Sequence, residues 1–308
     1  MSTADIWLPQ GTIEGAKQSN PTAWHEQRRG LVTASRFADV MSEPRSPERA
    51  FVDAWKHLIP EEERYKVLKT GPRAGQRVEV ENLGRLVMEA AEHQGAYCWG
   101  DTARGYMMEL MASALTGEDR VGGKSAAMER GNDKESDAID RYEADNFLTV
   151  HRARLLLLDG TRIGATKDGF VEDHEDGPGL IEVKCPESKT HMLTWLRRTL
   201  PDEYLYQVQG QLWISGRQWC DFISFDDRFP RAMSMVVVRV NRDEELIARM
   251  SRRVKAFADE LTGKLGEIRA YLATCAPEER EVVKKAMEDA ITVVDDLPWE
   301  PGGDNLQN

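Results

Sequence analysis

The stretch GATKDGFVEDHEDGPGLIEVK, residues 164–184, decides the fold of this chain. Two runs typical of β-strands, 162–171 and 180–185, flank an acidic stretch at 172–179 that contains glycine and proline. Strand-like runs on either side of such a stretch predict a β-hairpin. We expect the chain to turn near Glu175.

The predicted hairpin brings charged residues together. Turning near its middle is expected to place Asp168 opposite Val183 and therefore beside Glu182. Because side chains alternate along a strand, Glu182 and Lys184 share one face, whereas Ile181 and Val183 point into a core. Paired carboxylates beside a lysine suit hard divalent cations, since Mg²⁺ takes oxygen ligands and keeps several waters. An ion-paired surface hairpin is the alternative, but a solvated surface does not need so apolar a strand.

The spacing of these residues matches a nuclease pattern. Asp168, thirteen further residues and then Glu182-Val183-Lys184 fit the D…(D/E)xK pattern of the PD-(D/E)xK nucleases, with Lys167 in place of the proline. Alone, the pattern is weak, because acidic proteins contain such triplets by chance. The surrounding text, GATKDGFV and GLIEVKCP, resembles the nuclease core of the phage lambda exonuclease and YqaJ-type viral recombinase family. Further stretches resemble this family in the same order: AWHEQRRGLVTAS at 23–35, RGNDKESDAIDRY at 130–142 and YQVQGQLWISG at 206–216.

The resemblance implies an α/β fold with a restriction-endonuclease-like core, in which helices flank a mixed central sheet. We expect one nuclease domain over 1–308, with its core at about 21–49 and 101–275, a helical insertion at about 50–100 and a polar tail at 302–308. The insertion is expected to cover the core, and a DNA clamp or partner surface is the alternative. The implied activity is Mg²⁺-dependent 5′-to-3′ exonucleolysis of double-stranded DNA ends, which leaves 3′ single-stranded tails for phage-type homologous recombination.

The resemblance also assigns the metal ligands. Asp168 and Glu182 would hold the metal, and Val183 would offer its carbonyl. Glu135 matches a helix-borne acidic residue that reaches the metal in this family. Two Mg²⁺ ions roughly 3.5–4 Å apart are expected, with Mn²⁺ as a substitute, because such a pair stabilises both the attacking and the leaving oxygen.

Two further catalytic residues follow. Lys184 would orient the attacking water and favour its hydroxide form. Gln207 matches the motif glutamine of the family, and it shares one helix face with Tyr204 and Gln211 because their spacing is i, i+3, i+7. A glutamine on a buried face needs a hydrogen-bond partner, and a water or a phosphate oxygen would suit it.

A 5′-phosphate site is expected near the start of the chain. The resemblance assigns it to Arg28, Thr33, Ser35, Arg45 and Thr166. From the residues alone, Thr33 or Ser35 can cap a helix that starts near Arg36, where exposed amides would attract phosphate. The chain departs from the family after its CP pair, because Thr190 stands where a basic residue is expected and Lys189 precedes it.

Apolar spacing elsewhere predicts the flanking elements. Residues 106–115 form an amphipathic helix that ends at Gly117. Further helices are expected at 126–147, 188–200 and 243–273, and strands at 151–158, 220–225 and 234–240. The buried stripe of the helix at 126–147 is expected to contain Met128, Ile139, Tyr142 and Phe147.

Composition limits the class of protein. The chain has 308 residues, and 53 acidic against 41 basic residues give a net charge of −12. This balance argues against a protein that coats DNA, but an enzyme that holds DNA in a channel needs only local positive charge. The cysteines lack CxxC spacing and are expected to be reduced thiols: Cys98, Cys185, Cys220 and Cys275.

Sequence features and the family resemblance together predict the location and the partners of the protein. No run of eighteen apolar residues and no signal peptide is present, so we expect no membrane association and a cytoplasmic place. The family resemblance implies that this is the cytoplasm of a bacterial host and that the gene belongs to a phage or prophage. The family resemblance implies a homotrimeric ring and a single-strand annealing recombination protein as partner. Two alternatives stay open: a repair or restriction endonuclease on the same core, and a DNA-end-binding recombination module without catalysis.

Overall fold

The computed structural model describes residues 12–13, 30–117, 126–158 and 160–275, without the side chains at 12–13, 126–133 and 153–154. The strands are β1 Thr12–Ile13, β2 Val32–Thr33, β3 Tyr65–Val67, β4 Arg77–Glu79, β5 Val150–Leu158, β6 Ile163–Val171, β7 Gly179–Lys184, β8 Trp219–Phe225 and β9 Met235–Asn241. The α-helices are α1 Phe37–Met41, α2 Arg49–Trp55, α3 Glu61–Arg64, α4 Leu83–Glu92, α5 Asp101–Thr116, α6 Ala126–Asn146, α7 Ser188–Arg197, α8 Leu205–Ser215 and α9 Glu244–Leu272. Short 3₁₀ helices cover Ala34–Arg36, Lys56–Leu58 and Asp202–Tyr204.

A mixed sheet forms the centre of the fold. Its main strand order is β1-β5-β6-β7-β8-β9, and β2 pairs with β6 beside this path. The β7–β8 and β2–β6 pairs are parallel, and the other pairs in this sheet are antiparallel. The predicted α/β fold with a mixed central sheet is therefore confirmed. No helix in the described ranges is long and apolar enough to cross a membrane.

Helices cover both faces of the sheet. Leu180 of β7 belongs to the larger core, which includes buried residues of α5, α8 and α9. The next residue, Ile181, belongs to a second core with Ile139 and Tyr142 of α6. Alternation along a buried strand explains this division, because successive side chains point to opposite faces.

The sheet is split where the predicted site lies. β5 borders one edge of β6, from Ile163 to Val171. On the other edge, β2 pairs with Ile163 and Gly164, and β7 pairs with residues 169–171. Within the described ranges, no strand pairs with this edge of β6 at residues 165–168. A gap is thus left inside the sheet, between β2 and β7.

The hairpin forms as predicted, but its register differs by one residue. The ladder pairs Gly169 with Ile181 and Val171 with Gly179, whereas pairing of Asp168 with Val183 would have set Gly169 against Glu182. Gly179 lies so close to the Trp219 ring that a Cβ atom would be 2.2 Å from it. Trp219 belongs to β8, which lies outside the hairpin sequence. The observed register therefore includes a packing contact that the hairpin sequence alone does not contain.

The other predicted elements are largely confirmed. Strands β5, β8 and β9 and helices α6, α7 and α9 lie within a few residues of their predicted bounds, and α5 ends at Gly117, whose φ is 68°. The prediction that Phe147 is buried was wrong, because α6 ends at Asn146 and Phe147 has a φ of 54° and is 97% exposed. Residues 50–100 contain α3, α4 and most of α2, but they also contain the β3–β4 hairpin and their own apolar cluster around Val52 and Val87. All four cysteines are free.

Gly210 lets α8 approach the segment that follows β2. A Cβ atom at Gly210 would lie 2.6 Å from ring carbons of Phe37, whereas one at Gly266 in α9 would meet no atom within 4 Å. We expect Gly210→Ala to be less stable than Gly266→Ala by about 1–3 kcal/mol, the usual cost of overpacking, because the helix propensity gained is the same in both. Urea unfolding of the two purified variants measures this difference. Equal stabilities would contradict the close packing.

Candidate active site

Glu182 is the centre of the candidate site. It lies on β7, in the middle of the sheet, and its side chain is only 2% exposed. Lys184 donates from Nζ to Glu182 Oε1 over 2.5 Å, and Gln207 donates to the same oxygen. Gln211 donates to Glu182 Oε2 over 2.6 Å. A buried carboxylate is costly unless it is paired and hydrogen-bonded, and these three donors meet that requirement.

Asp168 lies beside Glu182 at the gap in the sheet. The backbone N–H of Val183 donates to Asp168 Oδ2 over 2.7 Å, which links β7 to β6 beyond the last ladder pair. Loss of hydration raises the pKa of Asp168 well above its usual range, and the nearby carboxylates of Glu182 and Glu135 raise it further. Lys184 opposes this rise only in part. Negative charge is therefore concentrated here.

Lys184 is the positive group of the site. Burial by itself lowers the pKa of its ammonium group, but the carboxylates of Glu182 and Asp168 outweigh burial and raise this pKa above its usual value. Lys184 is therefore protonated at neutral pH and acts as a cation rather than a base. Its Nζ lies 5.5 Å from the ring centroid of Tyr204, and burial together with Glu203 raises the pKa of Tyr204 to about 12.

The site is closed on one side by a face of α8 and by the 3₁₀ helix Asp202–Tyr204 that precedes it. Tyr204, Gln207 and Gln211 were predicted to share a face, and all three contact the group around Glu182 and Lys184. Gln211 also donates to the backbone carbonyl of Thr166 over 2.7 Å, at the gap in β6. The predicted residues Asp168, Glu182, Lys184 and Gln207 are thus brought together.

The donor set suits a hard divalent cation. Asp168, Glu182 and Glu135 supply carboxylate oxygens, the ligands that Mg²⁺ prefers. Within the described ranges, no three His, Cys, Asp or Glu side chains already form a metal-binding group, and both oxygens of Glu182 accept hydrogen bonds from protein donors. Burial is the main cause of the raised pKa of Asp168, and Glu182 and Glu135 add to it; a cation bound among these carboxylates would oppose that rise. The residues therefore fit Mg²⁺.

Two of the predicted phosphate residues lie beside β6. Thr33 pairs with Gly164 in the parallel β2–β6 ladder, so the chain that continues through Ser35 runs along β6 towards Thr166. The predicted capping bond is not made: Thr33 precedes the 3₁₀ helix Ala34–Arg36, but its hydroxyl accepts from no N–H of that helix, and Arg36 rather than Ser35 precedes α1. The two hydroxyl oxygens lie 3.2 Å apart and bond to each other. Arg28 lies outside the described residues.

Arg45 belongs to a different surface. It lines a cleft of about 710 Å³ between the residues of 50–100 and the core, next to Glu43 and Arg253. The lining of this cleft contains none of the residues around Glu182. Arg45 itself is exposed.

Comparison with known proteins identifies the family. Residues 23–218, more than half of the chain, match the YqaJ-like viral recombinase domain. The chain belongs to this family. The YqaJ-like domain thus contains the complete group around Glu182, whereas β8, β9 and α9 lie at or beyond its end. No curated protein matches the sequence significantly.

Several solved structures are similar to this YqaJ-like chain. The chain is similar to the alkaline exonuclease LHK-Exo from Laribacter hongkongensis, with 30% identity, a TM-score of 0.59, and coverage of 82% of this chain and 99% of that chain. The complex of LHK-Exo with dAMP matches with 30% identity, a TM-score of 0.58 and the same coverage. A phage-related exonuclease from Haemophilus somnus 129PT is 18% identical over 77% of this chain and 96% of that chain, with a TM-score of 0.49.

Two residues of this YqaJ-like domain have contacts that the sequence patterns did not assign. Gln211 bonds directly to Glu182, and its position one turn after Gln207 was the available signal. Lys167, which replaces the proline of the nuclease pattern, is buried, and its Nζ lies 3.6 Å from the ring centroid of Phe170. No spacing rule predicts this contact, because the strand alternation places residues 167 and 170 on opposite faces.

Proposed function

We propose that this chain is a Mg²⁺-dependent DNA exonuclease that degrades double-stranded DNA from 5′ ends and leaves 3′ single-stranded tails for homologous recombination. The observation that carries the proposal is the convergence of Asp168, Glu182 and Lys184 at the gap in the sheet. Membership of the YqaJ-like family and similarity to an alkaline exonuclease support a nuclease rather than a DNA-binding module without catalysis.

The proposed chemistry divides the work between cation and protein. Asp168, Glu182, the Val183 carbonyl and Glu135 would hold Mg²⁺, most simply as two ions, and Mn²⁺ would substitute. When bound, Mg²⁺ supplies a Lewis acid for the phosphate and lowers the pKa of water. Lys184 remains protonated beside Glu182. It therefore orients the attacking water and stabilises its hydroxide form by charge rather than by removing the proton.

The proposed end-recognition site lies upstream along β6. Thr33 pairs with Gly164, two residues before Thr166 on β6, and its hydroxyl bonds to that of Ser35. Arg28 would add a guanidinium, which binds two phosphate oxygens at once. Arg45, exposed at the separate cleft, would contact the DNA backbone further from the cut. We propose no phosphate contact for Lys189 or Thr190.

One experiment tests the activity and its polarity together. The purified protein is incubated with Mg²⁺ and linear duplexes labelled at either the 5′ or the 3′ end, and with a covalently closed circle. We expect early release of 5′ label as mononucleotide, late release of 3′ label and an intact circle. Cleavage of the circle would favour the endonuclease alternative, and binding of ends without cleavage would favour the non-catalytic module.

The choice of phosphorylated ends is expected to depend on Arg28. Losing one charge-assisted contact costs on the order of 1.5–3 kcal/mol, or roughly ten- to a hundredfold. Arg28→Ala should slow digestion of 5′-phosphorylated duplex by about that factor and barely change the slow digestion of 5′-hydroxyl duplex. Initial rates on both substrates measure the effect. If the wild type degrades both ends equally fast, or the variant slows both alike, Arg28 is a general contact or a structural residue.

We also propose a closed homotrimer. An acidic chain with a net charge of −12 gains little non-specific affinity for DNA, and enclosure of the duplex would replace charge density as the source of processivity. Light scattering at micromolar concentration should give three times the chain mass. A monomer that degrades DNA processively would contradict the ring. A single-strand annealing protein in the cytoplasm of the bacterial host, encoded with this protein by a phage or prophage, would then receive the 3′ tails.

A further inference from the structure

Gln211 connects the two strands on either side of the gap in the sheet. Its side chain is 0% exposed. From α8 it donates through Nε2 to Glu182 Oε2 on β7, over 2.6 Å, and to the Thr166 carbonyl on β6, over 2.7 Å. Both partners are acceptors, so the NH₂ group of the amide must face them. Its two hydrogens are then both used.

The oxygen of this amide indicates a further hydrogen-bond partner. Gln211 Oε1 is buried, and no described residue donates to it. A buried carbonyl oxygen without a donor is destabilising, so native proteins pair such atoms with a protein donor or with water. The oxygen belongs to the same amide that holds Glu182. A donor at this position would therefore lie within the candidate active site.

We propose that Gln211 is a positioning residue for the metal site: it holds Glu182 against the gap in β6, and its Oε1 accepts a hydrogen bond from a water molecule of the site. This inference rests on the proposed function, because it concerns the same carboxylate. The hydrogen bond to Thr166 supports it. Within the described ranges, no strand pairs with the edge of β6 between β2 and β7 at residues 165–168. Gln211 donates to the Thr166 carbonyl at this edge, and the same amide also fixes the carboxylate.

Gln209 is a matched control on the same helix. It is also buried, and its amide donates to the Asn241 carbonyl over 2.9 Å and accepts from the Asp243 N–H over 3.0 Å. These contacts tie α8 to the end of β9 and to the start of α9, and they do not involve Glu182. Substituting Gln209 therefore removes a buried, bonded glutamine from α8 without altering the metal site.

The test compares Gln211→Met with Gln209→Met. Methionine keeps the length and packing of glutamine but removes its hydrogen bonds. Mn²⁺ binding to the DNA-free protein is measured by calorimetry. Residues that orient a ligand typically change metal affinity by about ten- to a hundredfold, so we expect Gln211→Met to weaken Mn²⁺ binding by that factor and Gln209→Met to leave it unchanged. In kinetics, Gln211→Met should lower kcat and leave the KM for DNA unchanged, because Gln211 does not contact the substrate.

The outcomes separate the inference from the function on which it rests. If the wild type cleaves DNA and binds Mn²⁺ but Gln211→Met binds it equally well, Gln211 is not a positioning residue and the proposed function stands. A wild type that binds no Mn²⁺ would overturn the metal site itself. If Gln211→Met fails to fold while Gln209→Met folds, Gln211 is a structural residue, and the inference is overturned. Equal weakening in both variants would point to a general effect of disturbing α8 and would also overturn it.

Discussion

Asp168→Asn is expected to lower the cleavage rate by about a hundred- to a thousandfold, the loss typical of removing one group aimed at charge in the transition state. Asparagine keeps the shape of the side chain, and its oxygen can still accept from the Val183 N–H, so the fold should remain intact. What is lost is the negative charge that would hold Mg²⁺. Rates are measured with saturating Mg²⁺ on end-labelled duplex.

The stability of the same variant gives an independent measurement. Ionised Asp168 is destabilised by its loss of hydration and then by repulsion from Glu182 and Glu135, so without metal Asp168→Asn should melt at the same or a higher temperature than the wild type. Added Mg²⁺ should raise the melting temperature of the wild type and not that of the variant, because a ligand stabilises only the state that binds it. Asp173→Asn, an exposed position in the same hairpin, is the control and should behave like the wild type. Strong Mg²⁺-dependent cleavage by purified Asp168→Asn would remove the assignment.

Arg239→Met is expected to have the largest effect on stability among the substitutions considered, about 3 kcal/mol. Asp221 of β8 is buried and accepts from Tyr142 over 2.6 Å and from Arg239 Nε over 2.5 Å. The Arg239 guanidinium also lies 3.8 Å from the ring centroid of Trp219 and bonds to Asp176 in the hairpin turn. Breaking a buried pair typically costs 3–5 kcal/mol, and the lower end applies because Arg239 is about one third exposed.

Denaturant unfolding of Arg239→Met measures this cost. Arg231→Met is the control, because Arg231 is 82% exposed and its contact with Asp145 is 3.5 Å long, so its loss should cost about 0–1 kcal/mol. Replacing both members of the buried pair, in Asp221→Leu with Arg239→Met, should recover part of the lost stability, since no buried charge is then left unpaired. A loss as small as that of Arg231→Met would show that the pair does not stabilise the sheet.

Local patterns in the sequence were enough for the elements and for the core of the candidate site. Strand periodicity and turn residues predicted the β6–β7 hairpin. The glycine at position 117 predicted the end of α5, and Gly117 has a positive φ in the structure. Asp168, Glu182 and Lys184 meet because they lie on the two strands of one hairpin. Gln207 and Gln211 share a face because they are four residues apart on one helix. These contacts join residues that are close together along the chain, and the spacing of such residues can be read directly from the sequence.

Contacts between distant segments were decided by the tertiary structure. The predicted register of the hairpin was wrong by one residue, because the position of the turn was placed from turn residues alone and a shift of one residue changes which side chains face each other. In the observed register Gly169 pairs with Ile181, and Gly179 fits against Trp219. The gap in β6 exists because β2 pairs at one end of an edge and β7 at the other. The pattern of apolar and polar residues in β6 does not predict which strands will pair with its edges. The bond from Gln211 to Thr166 depends on that gap, since a continuous ladder would have satisfied the carbonyl with a backbone N–H.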